Sequence, residues 1–377
     1  MSQRRTIAVI SVSAGEGHLR AAEAIKATAE AMYPDVNVIH VDLMDHVPSL
    51  FRKVYAESYT PLVAYHAPLW GYLYAQADKR KIDSALDRLR TAVERLNTQK
   101  LKLVLRQIAP SDVICTHFLP AELFSRWRRK HFWIRPVWVV ITDFDVHMLW
   151  VHRHVTGYFV ASDEIACRLR GKDVGKANIV VTGIPIMPAF GKPLTREVCA
   201  CEVGLNPSKL TLLLMAGGRG IAPLNRLAGR ILDLNPDIQV IALAGKNRRL
   251  LESLREVAQR APERLVALPY TQSIERLMAC SDLAVTKSGG LTTSECLAMG
   301  LPMLIVSPIP GQEERNADVL LEEGAALKAY DDAGLEYKVR LVLEDPVKLT
   351  AMKGNALRLR KPGAADHILR TILQDSY

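Results

Sequence analysis

The chain has little cysteine, and what it has is not arranged to hold a metal. Its six cysteines, Cys115, Cys167, Cys199, Cys201, Cys280 and Cys296, show no CxxC spacing. Cys199 and Cys201 lie close together, but no second pair completes a zinc set. Small thiols in a reducing compartment fit better, which places the chain in the cytoplasm. No apolar stretch approaches the roughly 18 residues of a transmembrane helix. Arg4-Arg5 and the apolar Thr6–Ala14 superficially resemble a secretory signal, but the polar Gly15-Glu16-Gly17-His18 follows where a small-residue cleavage site would be needed. Low-complexity tracts and short repeats are lacking too, and no RNP, helix-turn-helix or zinc pattern points to nucleic acid.

What is present is 377 residues, 49% apolar and 24% charged. At roughly 100–200 residues per domain this favours two domains with sizeable cores. The formal charge of +9 is uneven. Residues 1–190 hold 25 Lys+Arg and 18 Asp+Glu, a balance of +7, against 24 and 22, or +2, in the remainder. A basic first half suggests an anionic partner or surface.

Short apolar runs alternate with longer amphipathic stretches, which predicts α/β architecture with parallel sheets. Strands are expected near Thr6–Ala14, Val36–Leu43, Asp112–His117, Val137–Asp143, Gly157–Ala161 and Ile179–Gly183, with a long charged helix around Lys79–Arg106. The rhythm restarts near Leu210–Ala216, Ile238–Ala244, Leu265–Leu268, Leu283–Thr286, Met303–Ser307 and Ala326–Ala329. The Pro/Gly-rich Gly183–Pro193 between the series breaks helix and strand and predicts a hinge. The expected domains are 1–190, 191–355, and a C-terminal amphipathic helix within 356–377 that packs back on the first domain.

Ligands of such sheets sit outside the carboxyl ends of strands. Four loops there carry more than a turn requires. Gly15 and Gly17 open a helix and let backbone approach a ligand, but Arg20 stands where the dinucleotide fingerprint wants a third glycine, so NAD is disfavoured. His18 in that loop is either a capping residue or a general base. Gly217-Gly218-Arg219-Gly220 can cradle a diphosphate or make a tight turn. Ser288-Gly289-Gly290 leads to Thr292, Thr293 and Glu295, where the amides suit phosphate and the carboxylate suits a ribose; the plainer reading is a helix start with a dipole-complementing Glu. Pro308-Ile309-Pro310-Gly311 presents Gln312, Glu313 and Asn316, groups that suit sugar hydroxyls or a solvated helix end.

The segment TKSGGLTTSECLAMGLPMLIVSPIPGQEERNADVLLEEGAA resembles the nucleotide-sugar signature of GT-B glycosyltransferases that include monogalactosyldiacylglycerol synthase. It is more distantly similar to the peptidoglycan N-acetylglucosaminyltransferase. SAGEGHLRAAEAI resembles the N-terminal glycine loop of that group, and VITDFDVHMLWVHRHVTGYFVAS with VTGIPIMPAF resembles the end of the acceptor domain in diacylglycerol glycosyltransferases. The likeness runs through nearly the whole chain.

The resemblance implies two Rossmann-like, doubly wound domains facing a central cleft, and inverting transfer of a hexose to a lipid hydroxyl. Glu295 would bind the ribose of UDP-glucose or UDP-galactose. Gln312, Glu313 and Asn316 would contact the sugar. Gly217, Gly218, Arg219, Gly220, Ser288, Gly289 and Gly290 would surround the diphosphate, and Tyr270 would lie against uracil. His18 and Asp143 would face the hydroxyl of diacylglycerol, beside the Gly15/Gly17 loop, and either one would be its base. No cofactor and no bound metal are implied. Asp143-Phe144-Asp145 has DxD spacing but lies in the acceptor half. Glu16 stands where relatives usually have glycine, and His147 and His152 follow Asp143 in a variable loop.

Residues 79–106 carry nine Lys+Arg against three Asp+Glu, and Phe124–Trp133 interleaves basic and aromatic side chains. Tyr55, Tyr59, Tyr65, Trp70, Tyr72 and Tyr74 crowd the same half. Together they suggest peripheral contact with an anionic membrane, at its cytoplasmic face. The alternatives are a polyprenyl-linked acceptor, a nucleotide-sugar-binding protein without catalysis, and a UDP-sugar epimerase.

Overall fold

The structure is a computed structural model that describes residues 5–13, 15–49, 52, 98–215 and 224–375. Within it the chain forms two compact units. The first comprises Met1–Pro188, Pro310–Gln312 and Lys361–Tyr377; the second comprises Ala189–Ile309 and Glu313–Arg360.

The first unit holds β1 (Arg5–Ser11), β2 (Val36–Asp42), β3 (Asp112–Cys115), β4 (Val137–Val140), β5 (Gly157–Val160) and β6 (Asn178–Val181), in the order β2-β1-β3-β4-β5-β6. All neighbours pair in parallel. Side chains alternate across a strand, so a sheet covered on both faces must be apolar throughout. In β1, Ala8 and Ile10 enter one core with Leu101, Leu119 and Phe124. Ile7 and Val9 enter the other, with Ala22, Ile25 and the C-terminal residues Ile368, Leu369 and Ile372.

The second unit holds β7 (Thr211–Met215), β8 (Gln239–Leu243), β9 (Leu265–Leu268), β10 (Leu283–Thr286), β11 (Met303–Val306) and β12 (Ala326–Ala329), ordered β12-β11-β10-β7-β8-β9 and again parallel. The fold class expected from the strand rhythm is therefore observed. Several strands stop short of the apolar run that foretold them. Val12 and Ile141 lie beyond the ends of β1 and β4 yet are fully buried, so apolar character continues into the loops leaving the sheet.

The C-terminal helix is Ala364–Gln374, beginning after Pro362-Gly363; the preceding helix, Pro346–Leu359, belongs to the second unit. Ala364–Gln374 packs on the helix Glu16–Met32. The Arg5 guanidinium bonds both the Asp112 carboxylate and the Ile372 and Leu373 carbonyls, tying that helix to β1 and β3. Gly183, at φ 89°, lies against the Lys361 side chain where the chain re-enters the first unit. A Cβ there would face both left-handed strain and a clash.

In each sheet the order reverses once, between β1 and β3 and between β7 and β10. Loops leaving strands on either side of such a reversal flank a crevice, so both pairs of loops are candidate sites. Of the expected long helix, Gln99–Ile108 is described; residues 79–97, the aromatic group from Tyr55 to Tyr74, and Gly217, Gly218, Arg219 and Gly220 lie outside the described residues.

Candidate active site

At the first reversal, β1 leads to Gly15, an extended residue at φ −168° that precedes the helix Glu16–Met32 without a side-chain cap. His18 stands in the first turn but does not cap it. Its Nδ1 reaches the Thr116 carbonyl beyond β3 at 2.9 Å, and the Thr142 hydroxyl beyond β4 also lies 2.9 Å from Nδ1. The Thr116 hydroxyl donates back to the His18 carbonyl at 2.9 Å. Three strand ends thus hold one imidazole.

A carbonyl oxygen only accepts, so the His18 proton is on Nδ1 and the lone pair is on Nε2. Burial lowers the pKa of this ring to about 4, partly offset by the bond to the Thr116 carbonyl. At neutral pH the His18 imidazole is uncharged. Of the two sequence readings, capping residue or base, the geometry removes the first, since this helix start has no side-chain cap.

Sequence reasoning missed His117. The expected strand Asp112–His117 ends at Cys115, and His117 instead caps the helix Phe118–Arg129 by accepting from the Leu119 N–H at 3.0 Å. Its ring stands edge-to-face against His18, with centroids 4.5 Å apart. Phe118 and Trp150 complete the aromatic group: His18 to Trp150 is 6.3 Å and His117 to Phe118 is 4.0 Å. The available signal was a polar residue just after a strand, as at the other loops.

Asp143 follows Thr142, is half-buried, and is already engaged by neighbouring groups. Its DxD partner Asp145 is buried and forms an ion pair with Arg168 at 2.7 Å. No group of three or more His, Cys, Asp or Glu side chains suited to a metal occurs among the described residues. His147 caps the turn Met148–Trp150. His152 binds the Glu122 carboxylate at 3.0 Å. Burial alone would raise the Glu122 pKa, but hydrogen bonds and charge from His152 and Arg126 pull it down to about 2. His147 and His152 therefore shape the loop that carries Asp143.

At the second reversal, β10 leads through Lys287 and Ser288 to Gly289, which precedes the helix Gly290–Ala298 without a side-chain cap. The free N–H groups of such a helix start favour an anion. The fully buried Ser288 donates to the Glu313 carbonyl at 2.6 Å, and the Asn316 amide donates to the Ser288 carbonyl at 2.9 Å. The Glu313 carboxylate accepts the Ile309 N–H at 2.6 Å. These bonds lock the loop after β10 to the loop after β11. Glu295 lies half-buried on the second turn of its helix, and Gln312 half-buried at the head of Gln312–Glu322.

Asn316 takes a different place from the expected one. It has no exposed surface, so it supports the loop rather than presenting its amide to a sugar. Thr292 and Thr293 fall inside the helix, which begins at Gly290. Tyr270, just beyond β9, is exposed; its N–H bonds the Gly245 carbonyl at 2.9 Å, and Lys246 Nζ lies 5.3 Å from its ring centre.

The monogalactosyldiacylglycerol (MGDG) synthase family model matches residues 18–186, and the glycosyltransferase family 28 C-terminal domain model matches residues 211–368. A processive diacylglycerol beta-glucosyltransferase from Bacillus thuringiensis (strain Al Hakam) is 30% identical, across 100% of this chain and 95% of that protein. A protein of the same name from Bacillus pumilus (strain SAFR-032) is 27% identical, across 100% and 96%. The crystal structure of Acinetobacter baumannii MurG superposes with a TM-score of 0.64 at 15% identity, covering 98% of this chain and 99% of that one. At that identity the likeness shows the fold.

Proposed function

We propose that this chain, which belongs to the processive diacylglycerol beta-glucosyltransferase family, moves a hexose from a UDP-sugar to the hydroxyl of 1,2-diacylglycerol with inversion. The hexose is glucose or galactose; both relatives cited are named glucosyltransferases along the full length of this chain, which favours UDP-glucose.

One observation carries the chemistry: a neutral His18 whose only proton is held by the Thr116 carbonyl, leaving Nε2 as the base. In the proposed step the acceptor hydroxyl gives its proton to Nε2 as its oxygen bonds the anomeric carbon. The bond from that carbon to the diphosphate breaks on the opposite face, and UDP leaves with the electron pair. The uncapped start of Gly290–Ala298 suits the charge developing on the diphosphate. Glu295 fits the ribose, Gln312 and Glu313 the sugar, and Tyr270 the uracil. The excess of basic residues in the first half supports peripheral binding to an anionic membrane at the cytoplasmic face; no helix among the described residues is long and apolar enough to cross a membrane.

The test is incubation of the purified chain with diacylglycerol in detergent micelles and each of several UDP-sugars. A β-glycosyl diacylglycerol, identified by mass and anomeric coupling, is expected, with UDP-glucose the faster donor. Absence of transfer from every UDP-sugar to any lipid hydroxyl overturns the proposal. Transfer to a polyprenyl-linked acceptor in place of diacylglycerol would reassign the acceptor.

A further inference from the structure

Two neighbouring imidazoles at the first reversal carry complementary protons. The His18 proton is on Nδ1, donated to the Thr116 carbonyl. The Nδ1 of His117 accepts the Leu119 N–H, so the proton of a neutral His117 is on Nε2. The Thr116 carbonyl belongs to the peptide bond that leads directly into His117. Three bonds hold the two residues that flank that peptide: the Thr116 N–H to the Ile10 carbonyl at 3.1 Å, the Thr116 hydroxyl to the His18 carbonyl, and the cap made by the His117 side chain. His117 is held extended at φ −143° and ψ 150° by that cap.

We infer that His117 is a positioning residue for His18: its cap aims the Thr116 carbonyl that sets the His18 tautomer, and its ring keeps water from the His18 imidazole. This rests on reading His18 as the base. Without the cap, the first turn of Phe118–Arg129 loosens and the carbonyl loses its direction. Nδ1 and Nε2 of His18 then compete for one proton, and part of the population presents N–H instead of a lone pair to the acceptor. Without the ring, water reaches His18 and the charged form becomes cheaper. Burial, followed by the proximity of His18, holds His117 itself well below its ordinary pKa, so it adds no positive charge beside the base.

Among the described residues, the other groups around His18 are few. Thr142 and the half-buried Asp143 come from the loop after β4, and Trp150 from the turn beyond it. On its own helix stand Glu16 and Arg20, the latter paired with Glu23 at 2.7 Å. The Thr142 hydroxyl can accept from Nδ1 or donate to it and so fits either tautomer, whereas the Thr116 carbonyl can only accept and selects Nδ1–H.

Long-range proton–nitrogen NMR of the imidazoles in the intact chain, without substrates, separates the two contributions. The parent protein is expected to show the Nδ1–H tautomer of His18, with its titration confined to the acid side of pH 5. His117→Asn keeps a cap acceptor and removes the ring: the tautomer should persist while the proton affinity of His18 rises tenfold or more. His117→Phe keeps a ring and removes the cap: the proton affinity should stay low while the tautomers mix. If the Asn variant leaves the titration unmoved, or the Phe variant leaves the tautomer unmoved, the assignment is overturned. Thermal melting of each variant identifies a merely structural loss, which would lower the melting temperature and shift neither signature. These readouts need no turnover, so failure of the glycosyltransferase reading would appear in the lipid-product assay alone.

Discussion

His18 donates its Nδ1 proton to the carbonyl of Thr116, 2.9 Å away in space and 98 residues away in sequence. That bond gives an ordinary-looking helix-start histidine a defined lone pair on Nε2. It joins the loop after β1 to the end of β3, the two strands at which the sheet order reverses.

Replacing His18 by Ala should lower kcat by about 100- to 10,000-fold, the range for losing a general base. UDP binding, measured by calorimetry, should be unchanged, because the donor loops belong to the other unit. The pH profile of kcat/KM should stay flat down to about pH 5 and fall on its acid side near pH 4, where His18 gains a proton. A fall centred near 6.5 would mean that His18 is not the titrating base.

Asn316 holds the loop after β10 through the Ser288 carbonyl. Asn316→Leu should weaken UDP binding and destabilise the chain by about 1–3 kcal/mol, because a buried carbonyl loses its partner. Calorimetry and denaturant melts would measure both. Unchanged affinity would show that the bond does not shape the donor loop.

Asp282 receives Arg196 at 2.8 Å, Lys353 at 2.6 Å and the Thr211 N–H at 2.9 Å, all within the second unit. Burial would raise its pKa, but the bonds to Arg196, Lys353 and Thr211 win and lower it. Asp282→Ala removes the carboxylate shared by Arg196, Lys353 and the buried Thr211 N–H, and should cost about 1–3 kcal/mol. Chemical denaturation of the variant at pH 7 measures the loss.

Acid should destabilise the chain in two successive windows. The pKa of His18 is lower when folded than unfolded, so the unfolded state binds more protons between about 6.5 and 4, and stability falls as pH falls through that range. The carboxylates of Glu122 and Asp282 are also depressed, so their contribution is present above the unfolded carboxyl range and is lost on further acidification, for Glu122 towards about 2. His18→Gln should reduce the slope of the melting temperature against pH in the upper window only, the remainder coming from His117 and His40, which burial also holds below their ordinary pKa. An unchanged slope there would contradict the burial of His18.

Truncation after Arg360 should destabilise the first unit and spare the second. It removes Ile368, Leu369 and Ile372, all fully buried against β1 and the helix Glu16–Met32. Each such side chain is worth about 1.5–3 kcal/mol. Limited proteolysis should cut within the first unit and leave 224–360 protected; a pattern identical to that of the full chain would refute this.

Much of the fold was legible in the sequence because its cause is local. A parallel strand covered on both faces must be an apolar run, and Ile7–Ile10 or Leu212–Leu214 cannot be read otherwise. The stripe Ile368, Leu369, Ile372 declares an amphipathic helix by its spacing alone. Candidate loops were legible too, since glycine, histidine and acidic residues directly after a strand exceed what a turn needs.

What each loop residue does was decided by tertiary structure. Asn316 and Gln312 look equally suited to a sugar in sequence, yet the fold buries Asn316 against Ser288 and leaves Gln312 half-buried at the helix start. His117 reads as the end of a strand until Leu119 is seen to donate to it. His18 reads as a possible cap until its Nδ1 is seen to meet the Thr116 carbonyl instead. The sequence by itself determined the two sheets, the helices that cover them and the loops that carry polar groups, because apolar periodicity is written in neighbouring residues. Only the tertiary structure decided which nitrogen of His18 holds its proton, because a carbonyl far along the chain makes that choice by packing against it.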